Sequence, residues 1–125
     1  KYEKKQAEVN IRAVGEKEML YLNNTFRKSP ALTNVLSFPA DLPKEIELNL
    51  LGDIAICAPV VQKEATKLGK LEKAHWAHLT VHGMLHLIGY DHISEKESVK
   101  MESIEISVLA SLGISNPYTQ KAMLE

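Results

Sequence analysis

All five histidines of the chain lie between positions 75 and 92, and imidazole is the side chain most often used for metal binding and proton transfer near neutral pH. If residues 71–88 form a helix at about 100° per residue, His75, His82 and His86 point within about 20° of one direction. His78 lies near the same face. The spacing therefore predicts a row of four imidazoles along one helix.

His82, His86 and His92 have the spacing of a zinc site, written H-x-x-x-H-x-x-G-x-x-H. An i, i+4 pair on a helix has Cβ atoms about 5–6 Å apart, which suits two nitrogens bound to one ion at about 2.0–2.1 Å. Gly89 ends the helix, so the chain can turn back and bring His92 to the same ion. Three protein ligands leave a fourth coordination position open, as in catalytic zinc sites. We expect one Zn²⁺ per chain.

The same spacing occurs in metzincin proteases, but one position differs. Those enzymes place a glutamate after the first histidine as the general base, whereas this chain has Gly83 there. The metal-binding pattern is retained without the protease base. This departure argues against a zinc protease of that type.

Other polar residues near the motif have more than one interpretation. Asp91 either orients a ligand imidazole or takes up a proton in catalysis, or else it caps the turn or the following helix. His75 and His78 either support the site or contact substrate, or they are packing residues. Cys57 lies in an apolar stretch without a C-x-x-C partner, so we predict a core residue rather than a ligand.

The elements that would position these residues follow from apolar periodicity and capping signals. An alternating pattern from Val9 to Ala13 indicates a strand, and Ser94 with Glu97 three residues later predicts a capping box at the start of the last helix. We predict helices at residues 16–26, 59–68, 71–88 and 94–112, strands at 9–13, 33–38 and 50–57, and loops at 27–32 and 40–47. Strands and helices do not alternate strictly, so the fold class is α+β.

Composition limits the class of protein. The 125 residues suit one domain spanning 1–125, and a formal net charge of -1 gives no sign of general nucleic-acid binding. Any RNA contact must come from local patches, and no DNA partner is expected. No apolar run is long enough for a membrane span, and a single cysteine fits a reducing, cytoplasmic setting. The first residue is Lys1, which indicates an internal fragment or a processed product.

Five blocks of sequence resemble the YbeY family of bacterial endoribonucleases, from about Val9 to Tyr118. The longest is HGMLHLIGYDH at residues 82–92. The others are LNNTFR at 22–27, TNVLSFP at 33–39, LGDIAIC at 51–57 and AHWAH at 74–78. Family members usually carry a further strand and helix before the segment that begins here, so an N-terminal part of the family's sheet is expected to be missing.

The resemblance implies helices packed on a small mixed sheet, with a metalloprotease-like three-histidine zinc site at the end of a central helix. It implies a zinc-dependent endoribonuclease specific for single-stranded RNA, acting at the 3′ end of small-subunit (16S) ribosomal RNA and in ribosome quality control. The catalytic residues it predicts are Arg27, the family's functional arginine, and the ligand His82. Asp53 matches a position linked to contact with a protein of the small ribosomal subunit.

The chemistry leaves alternatives. Arg27 offers a planar fork that binds phosphate in a bidentate way, and the nucleophile is either activated water or the RNA 2′-hydroxyl. Two other classes fit parts of the pattern: a zinc hydrolase of peptides or amides, which Gly83 disfavours, and a non-catalytic ribosome-assembly factor with a structural zinc, which the open fourth position disfavours.

Overall fold

The computed structural model describes residues 7–40, 50–90 and 94–118, which form a small sheet packed with helices. Along the chain the elements are β1 (Glu8–Val14), α1 (Glu16–Arg27), β2 (Val35–Pro39), β3 (Leu50–Cys57), α2 (Ala58–Leu68), α3 (Glu72–Leu87) and α4 (Glu95–Ser111). Their order confirms the predicted α+β class. None of the helices in these ranges is long and apolar enough to cross a membrane.

The sheet has the strand order β1-β3-β2, with β1 parallel and β2 antiparallel to β3. It is therefore a mixed sheet with β3 in the centre. Successive side chains of a strand point to opposite faces. Both faces of β3 are covered, so its apolar residues occupy consecutive positions. Ile54 and Ile56 face one core with residues of α2 and α3, while Ala55 and Cys57 face a second core with α1.

Gly52 lets the end of α3 approach the sheet closely. Its φ is +149°, and a Cβ there would lie 2.2 Å from the carbonyl oxygen of Phe38 and 2.9 Å from Cδ2 of Leu87. No side chain can occupy that space. The glycine thus fixes the C-terminal end of α3, which carries His82 and His86, against the edge where β2 and β3 pair.

The ends of α3 and α4 follow the predicted signals. Gly89, with φ +105°, ends α3, and the N–H of Tyr90 turns back to donate to the carbonyl of Leu85 at 2.9 Å. Ser94 and Glu97 form the predicted capping box at the start of α4, with Glu97 N donating to Ser94 Oγ at 3.1 Å. From there α4 runs back along α3.

Most element boundaries lie within one residue of the prediction, and two differences bear on Arg27 and the segment after it. Arg27 was expected in a loop but is the last residue of α1, because Lys28 adopts a left-handed conformation that ends the helix one residue later. The next strand begins at Val35 rather than Thr33. Asn23, which is buried, donates to the carbonyl of Ala31 at 2.6 Å and so holds the connecting segment. The predicted loop at 40–47 lies almost wholly outside the described residues.

Candidate active site

The four histidines of α3 form the predicted row. Ring centroids are 6.3 Å apart between His75 and His78, 6.5 Å between His78 and His82, and 4.6 Å between His82 and His86. The row runs from a buried end at His75, which is 5% exposed, to partly exposed rings at His82 and His86. The helical period alone produces this arrangement.

The accessible end of the row has the donor geometry of a metal site. Nε2 of His82 and Nε2 of His86 face one another at 3.1 Å. Two bonds of about 2.0–2.1 Å that meet at a near-tetrahedral angle separate their nitrogens by about 3.3 Å, so the pair fits one zinc ion with little adjustment. His82 and His86 would hold the ion from one side.

The third predicted ligand, His92, lies outside the described residues, as does Asp91. Within residues 7–40, 50–90 and 94–118, no three His, Cys, Asp or Glu side chains are grouped so that they could hold a metal ion. The described part of the site therefore consists of two nitrogen donors and the groups that orient them.

A buried glutamate of α4 orients the first of these donors. Glu105 Oε2 accepts a hydrogen bond from Nδ1 of His82 at 2.6 Å, and Oε1 lies 3.0 Å from Nε2 of His78. The hydroxyl of Tyr118 also donates to Oε1. The side chain of Glu105 is only 1% exposed, so these donors compensate a carboxylate that water does not reach.

The electrostatics of Glu105 and Tyr118 follow from this burial. Burial by itself raises the pKa of Glu105, but hydrogen bonds from His78, His82 and Tyr118 outweigh it and hold that pKa well below its ordinary value. For Tyr118, burial and the adjacent Glu105 carboxylate both raise the pKa of the hydroxyl above its ordinary value. At neutral pH the pair is a carboxylate and a neutral phenol.

The buried end of the row makes a second, separate contact. His75 Nε2 lies 2.8 Å from Glu64 Oε1 of α2, and the same glutamate accepts from the side-chain amide of Asn34 at 3.0 Å. Asn34 stands just before β2. This chain of contacts ties the buried histidine to the segment that leads into β2.

Gly83, which stands where a metzincin has its glutamate base, is tightly packed. It is buried against the sheet, its carbonyl accepts from Ser37 Oγ at 2.9 Å, and a Cβ would lie 3.1 Å from that oxygen and 3.2 Å from methyl groups of Ile54. Even alanine would require the side chains of Ser37 and Ile54 to give by a few tenths of an ångström. The packing of α3 on the sheet therefore disfavours a larger side chain at this position, including the carboxylate that a metzincin carries.

A groove of about 620 Å³ lies beside the histidine pair. It is lined by residues of β2 and its approach, by the end of α3 and by α1, including Arg27, Asn34, Ser37, His82, His86 and Tyr90. β2 is an outer strand of the described sheet, so its free edge borders this groove. The groove brings together Arg27 and two of the predicted ligands.

Arg27 is held at the groove by two contacts with β2. One of its terminal nitrogens donates to the carbonyl of Ser37, and its guanidinium carbon lies 5.6 Å from the centre of the Phe38 ring. Phe26 packs edge-on against the same ring, with centroids 5.5 Å apart. A guanidinium carries five N–H donors, and Ser37 takes only one of these. The position suits recognition of a phosphate in the groove.

Two other predicted residues lie elsewhere. Asp53 is exposed on β3 and borders a separate hollow on the α1 side of the sheet, lined also by Arg12, Leu22 and Phe26. Cys57 is fully buried in the core between the sheet and α1, which confirms the prediction that it is a core residue.

No role was predicted from the sequence for Glu105, Tyr118, Glu64 or Asn34. A signal for Glu105 was present: Met101, Glu105 and Leu109 are spaced i, i+4, i+8, and all three are buried. A carboxylate in the middle of an apolar helical stripe is rarely buried without charged or hydrogen-bonding partners. Glu64 and Asn34 carry no comparable signal, since their contact joins elements 30 residues apart.

Comparison with known proteins identifies the family. A family model described as Endoribonuclease YbeY matches residues 1–113. A relative named Endoribonuclease YbeY from Methylococcus capsulatus is 54% identical over 118 residues, 94% of this chain and 79% of the relative. Another of the same name, from Colwellia psychrerythraea, is 53% identical over 114 residues, 91% of this chain and 74% of the relative.

A solved structure shares the fold. The solution structure of TM1509 from Thermotoga maritima matches with a TM-score of 0.53 and 28% sequence identity, over 86% of this chain and 71% of that one. The family model and the two named relatives confirm the predicted endoribonuclease and give no support to a peptide hydrolase or a non-catalytic factor. The chain belongs to the YbeY family of metal-dependent endoribonucleases, which act in the maturation of ribosomal RNA.

Proposed function

We propose that the groove beside His82 and His86 binds single-stranded RNA and that cleavage depends on one zinc ion held by His82, His86 and His92. The observation that carries this proposal is the pair of Nε2 atoms facing one another at 3.1 Å on the wall of the groove that Arg27 also lines. Zinc, when bound, supplies a Lewis acid that polarises the phosphodiester and stabilises developing negative charge.

The residues of the chain itself bind and orient the RNA. Arg27 offers paired N–H donors to a phosphate, and its contacts with Ser37 and Phe38 fix the plane of the guanidinium before substrate arrives. A preorganised cation near the scissile phosphate stabilises charge in the transition state more than in the ground state. A groove of about 620 Å³ has room for a short run of nucleotides.

The substrate we propose is the 3′ region of small-subunit (16S) ribosomal RNA, with a role in ribosome quality control. The partner is then the small ribosomal subunit, and Asp53 is the residue we assign to contact with one of its proteins. Asp53 suits that role because it is exposed on the α1 side of the sheet, and it borders a hollow other than the RNA groove. Partner binding and RNA cleavage would thus use separate surfaces.

Metal analysis and RNA cleavage, measured on the same preparations, test the proposal. Wild type should contain one zinc per chain and cleave single-stranded RNA, and chelation should stop cleavage. His86→Ala should lose both zinc and cleavage. Arg27→Glu should keep its zinc but lose cleavage, because it replaces the phosphate-binding cation with an anion; Arg27→Lys should restore only part of the activity.

Three outcomes would contradict the proposal. Equal zinc in wild type and His86→Ala would remove the ligand assignment, and normal cleavage by Arg27→Glu would make the arginine peripheral. Proteolysis that follows zinc occupancy while RNA stays intact would favour the peptide hydrolase.

The ends of the RNA products identify the nucleophile, since attack by the 2′-hydroxyl leaves a cyclic phosphate and attack by water does not.

A further inference from the structure

The contact between Glu105 and His82 bears on which of the two ring nitrogens of His82 carries the proton. A neutral imidazole has one N–H, and only the other nitrogen can bind a metal. Glu105 Oε2 accepts from Nδ1 of His82 at 2.6 Å, and Nε2 of the same ring is the atom that faces His86. The two contacts lie on opposite sides of one ring.

We propose that Glu105 is a positioning residue for the metal ligand His82: its carboxylate keeps the proton of His82 on Nδ1 and so presents Nε2, unprotonated, to the ion beside His86. This inference rests on the proposed function, because it requires a metal ion at His82 and His86. It assigns to a residue of α4 a role in the site that the zinc-binding motif itself does not contain.

The donors around Glu105 hold its carboxylate in this role. Oε1 takes the Tyr118 hydroxyl and lies within hydrogen-bonding distance of His78 Nε2, which leaves Oε2 directed at His82. The side chain is 1% exposed, so water does not compete for either oxygen. Each carboxylate oxygen of Glu105 thus has its own hydrogen-bonding partners, and the carboxylate cannot rotate without breaking several hydrogen bonds.

Glutamine at position 105 discriminates this role from mere packing. It has almost the same shape, but one oxygen becomes an NH₂ group, which donates and cannot accept. Its carbonyl is best placed on the Oε1 side, where Tyr118 donates, so the NH₂ group faces His82. Nδ1 of His82 must then accept, and its proton moves to Nε2, the metal-binding nitrogen.

The experiment measures the tautomer of His82 in the metal-free protein. It also measures the affinity for Zn²⁺ by competition with a chelator. We expect nitrogen NMR to show His82 protonated at Nδ1 in wild type and at Nε2 in Glu105→Gln. Zinc affinity should fall by about 10- to 100-fold in Glu105→Gln, the range found when a group that orients a metal ligand is removed.

Glu64→Gln is the matched control. It makes the same exchange in a glutamate that contacts another histidine of α3, His75 at 2.8 Å, which is not a predicted ligand. Zinc affinity should stay within about twofold of wild type. Glu105→Asp keeps the negative charge and the acceptor oxygens, so His82 should retain its proton on Nδ1. It is the second variant to test if Glu105→Gln does not fold.

The outcomes separate the two proposals. If wild type binds no zinc, or His86→Ala binds it equally well, the proposed function fails. If wild type binds zinc through His86 but Glu105→Gln keeps both the Nδ1 proton and wild-type affinity, only the role of Glu105 is overturned. In Glu105→Asp, a proton on Nε2 of His82 together with wild-type zinc affinity would also overturn the role of Glu105.

Discussion

Two glutamates contact histidines of the same helix, and their surroundings differ. Glu105 lies 2.6 Å from His82, and Glu64 lies 2.8 Å from His75. The side chain of Glu105 is 1% exposed, whereas that of Glu64 is 37% exposed. Nearly the same contact therefore joins a buried carboxylate to a partly exposed histidine in one pair and a partly exposed carboxylate to a buried histidine in the other.

The difference shows how burial determines what such a pair can do. A buried carboxylate needs a full set of donors, and Glu105 has contacts with His78, His82 and Tyr118. That set makes the geometry rigid, which suits orientation of a metal ligand. Glu64 can be solvated by water, so its bond to Asn34 is adjustable and suits a groove that must accept a flexible strand.

The largest effect should come from removing each carboxylate in turn. Glu105→Ala leaves buried donors without an acceptor, and breaking a buried pair in this way costs about 3–5 kcal/mol of unfolding free energy. Glu64→Ala should cost less, about 1–3 kcal/mol, because the Glu64 carboxylate is partly solvated and only one buried nitrogen, Nε2 of His75, loses its partner. Urea unfolding of the metal-free chain measures both. Equal losses would show that burial does not distinguish the two pairs.

A smaller effect concerns Tyr118 and pH. Tyr118→Phe removes one donor to the buried carboxylate and should cost about 1.5–3 kcal/mol at neutral pH, the range for a hydrogen bond to a charged group. The pKa of Tyr118 is raised in the folded state, so its contribution is fully present below the ordinary tyrosine pKa of 10.0. As pH rises above that value the contribution is lost.

The stability difference between wild type and Tyr118→Phe should therefore be constant from neutral pH to about pH 10 and shrink above it. Unfolding of both proteins by urea across this range tests the prediction. Tyr21→Phe is the control, because Tyr21 is 64% exposed and should show no such dependence. A difference that grows with alkalinity would contradict the assigned direction of the shift.

How far the sequence predicts this molecule depends on how local each feature is. The row of histidines, the end of α3 at Gly89 and the capping box at Ser94 all depend on residues within a few positions, and all were predicted. The pairing of Glu105 with His82 spans 23 residues and arises only when α4 packs on α3. Periodicity identifies Glu105 as facing inward but cannot name its partner.

Arg27 illustrates the same limit at the groove. Its type and the family resemblance mark it as a phosphate-binding candidate, yet the contacts that hold it come from Ser37 and Phe38 on β2. Those contacts depend on how α1 packs against the sheet. Likewise Gly83 can be recognised as a missing base from the sequence, but its steric cause requires the position of Ile54 on β3.

The smallest effect should come from the contact between Glu64 and Asn34. Asn34 lines the groove, and its amide donates to Glu64 Oε1 at 3.0 Å and Oε2 at 3.4 Å. Loss of this anchor should free the Asn34 side chain without disturbing His82 or His86. A hydrogen bond of this kind contributes about 0.5–1.5 kcal/mol, so we expect KM for single-stranded RNA to rise about two- to tenfold in Glu64→Ala. Neither kcat nor zinc content should change.

A double-mutant cycle shows whether Glu64 acts through Asn34. If it does, Asn34→Ala should raise KM by a similar factor, and the double variant should show no further rise, because each single change already removes the same contact. Independent, multiplying effects would mean that Glu64 influences RNA binding by another route, such as its contact with His75. A fall in zinc content in Glu64→Ala would mean that Glu64, like Glu105, helps to orient the metal site. The distinction between the two glutamates would then be lost.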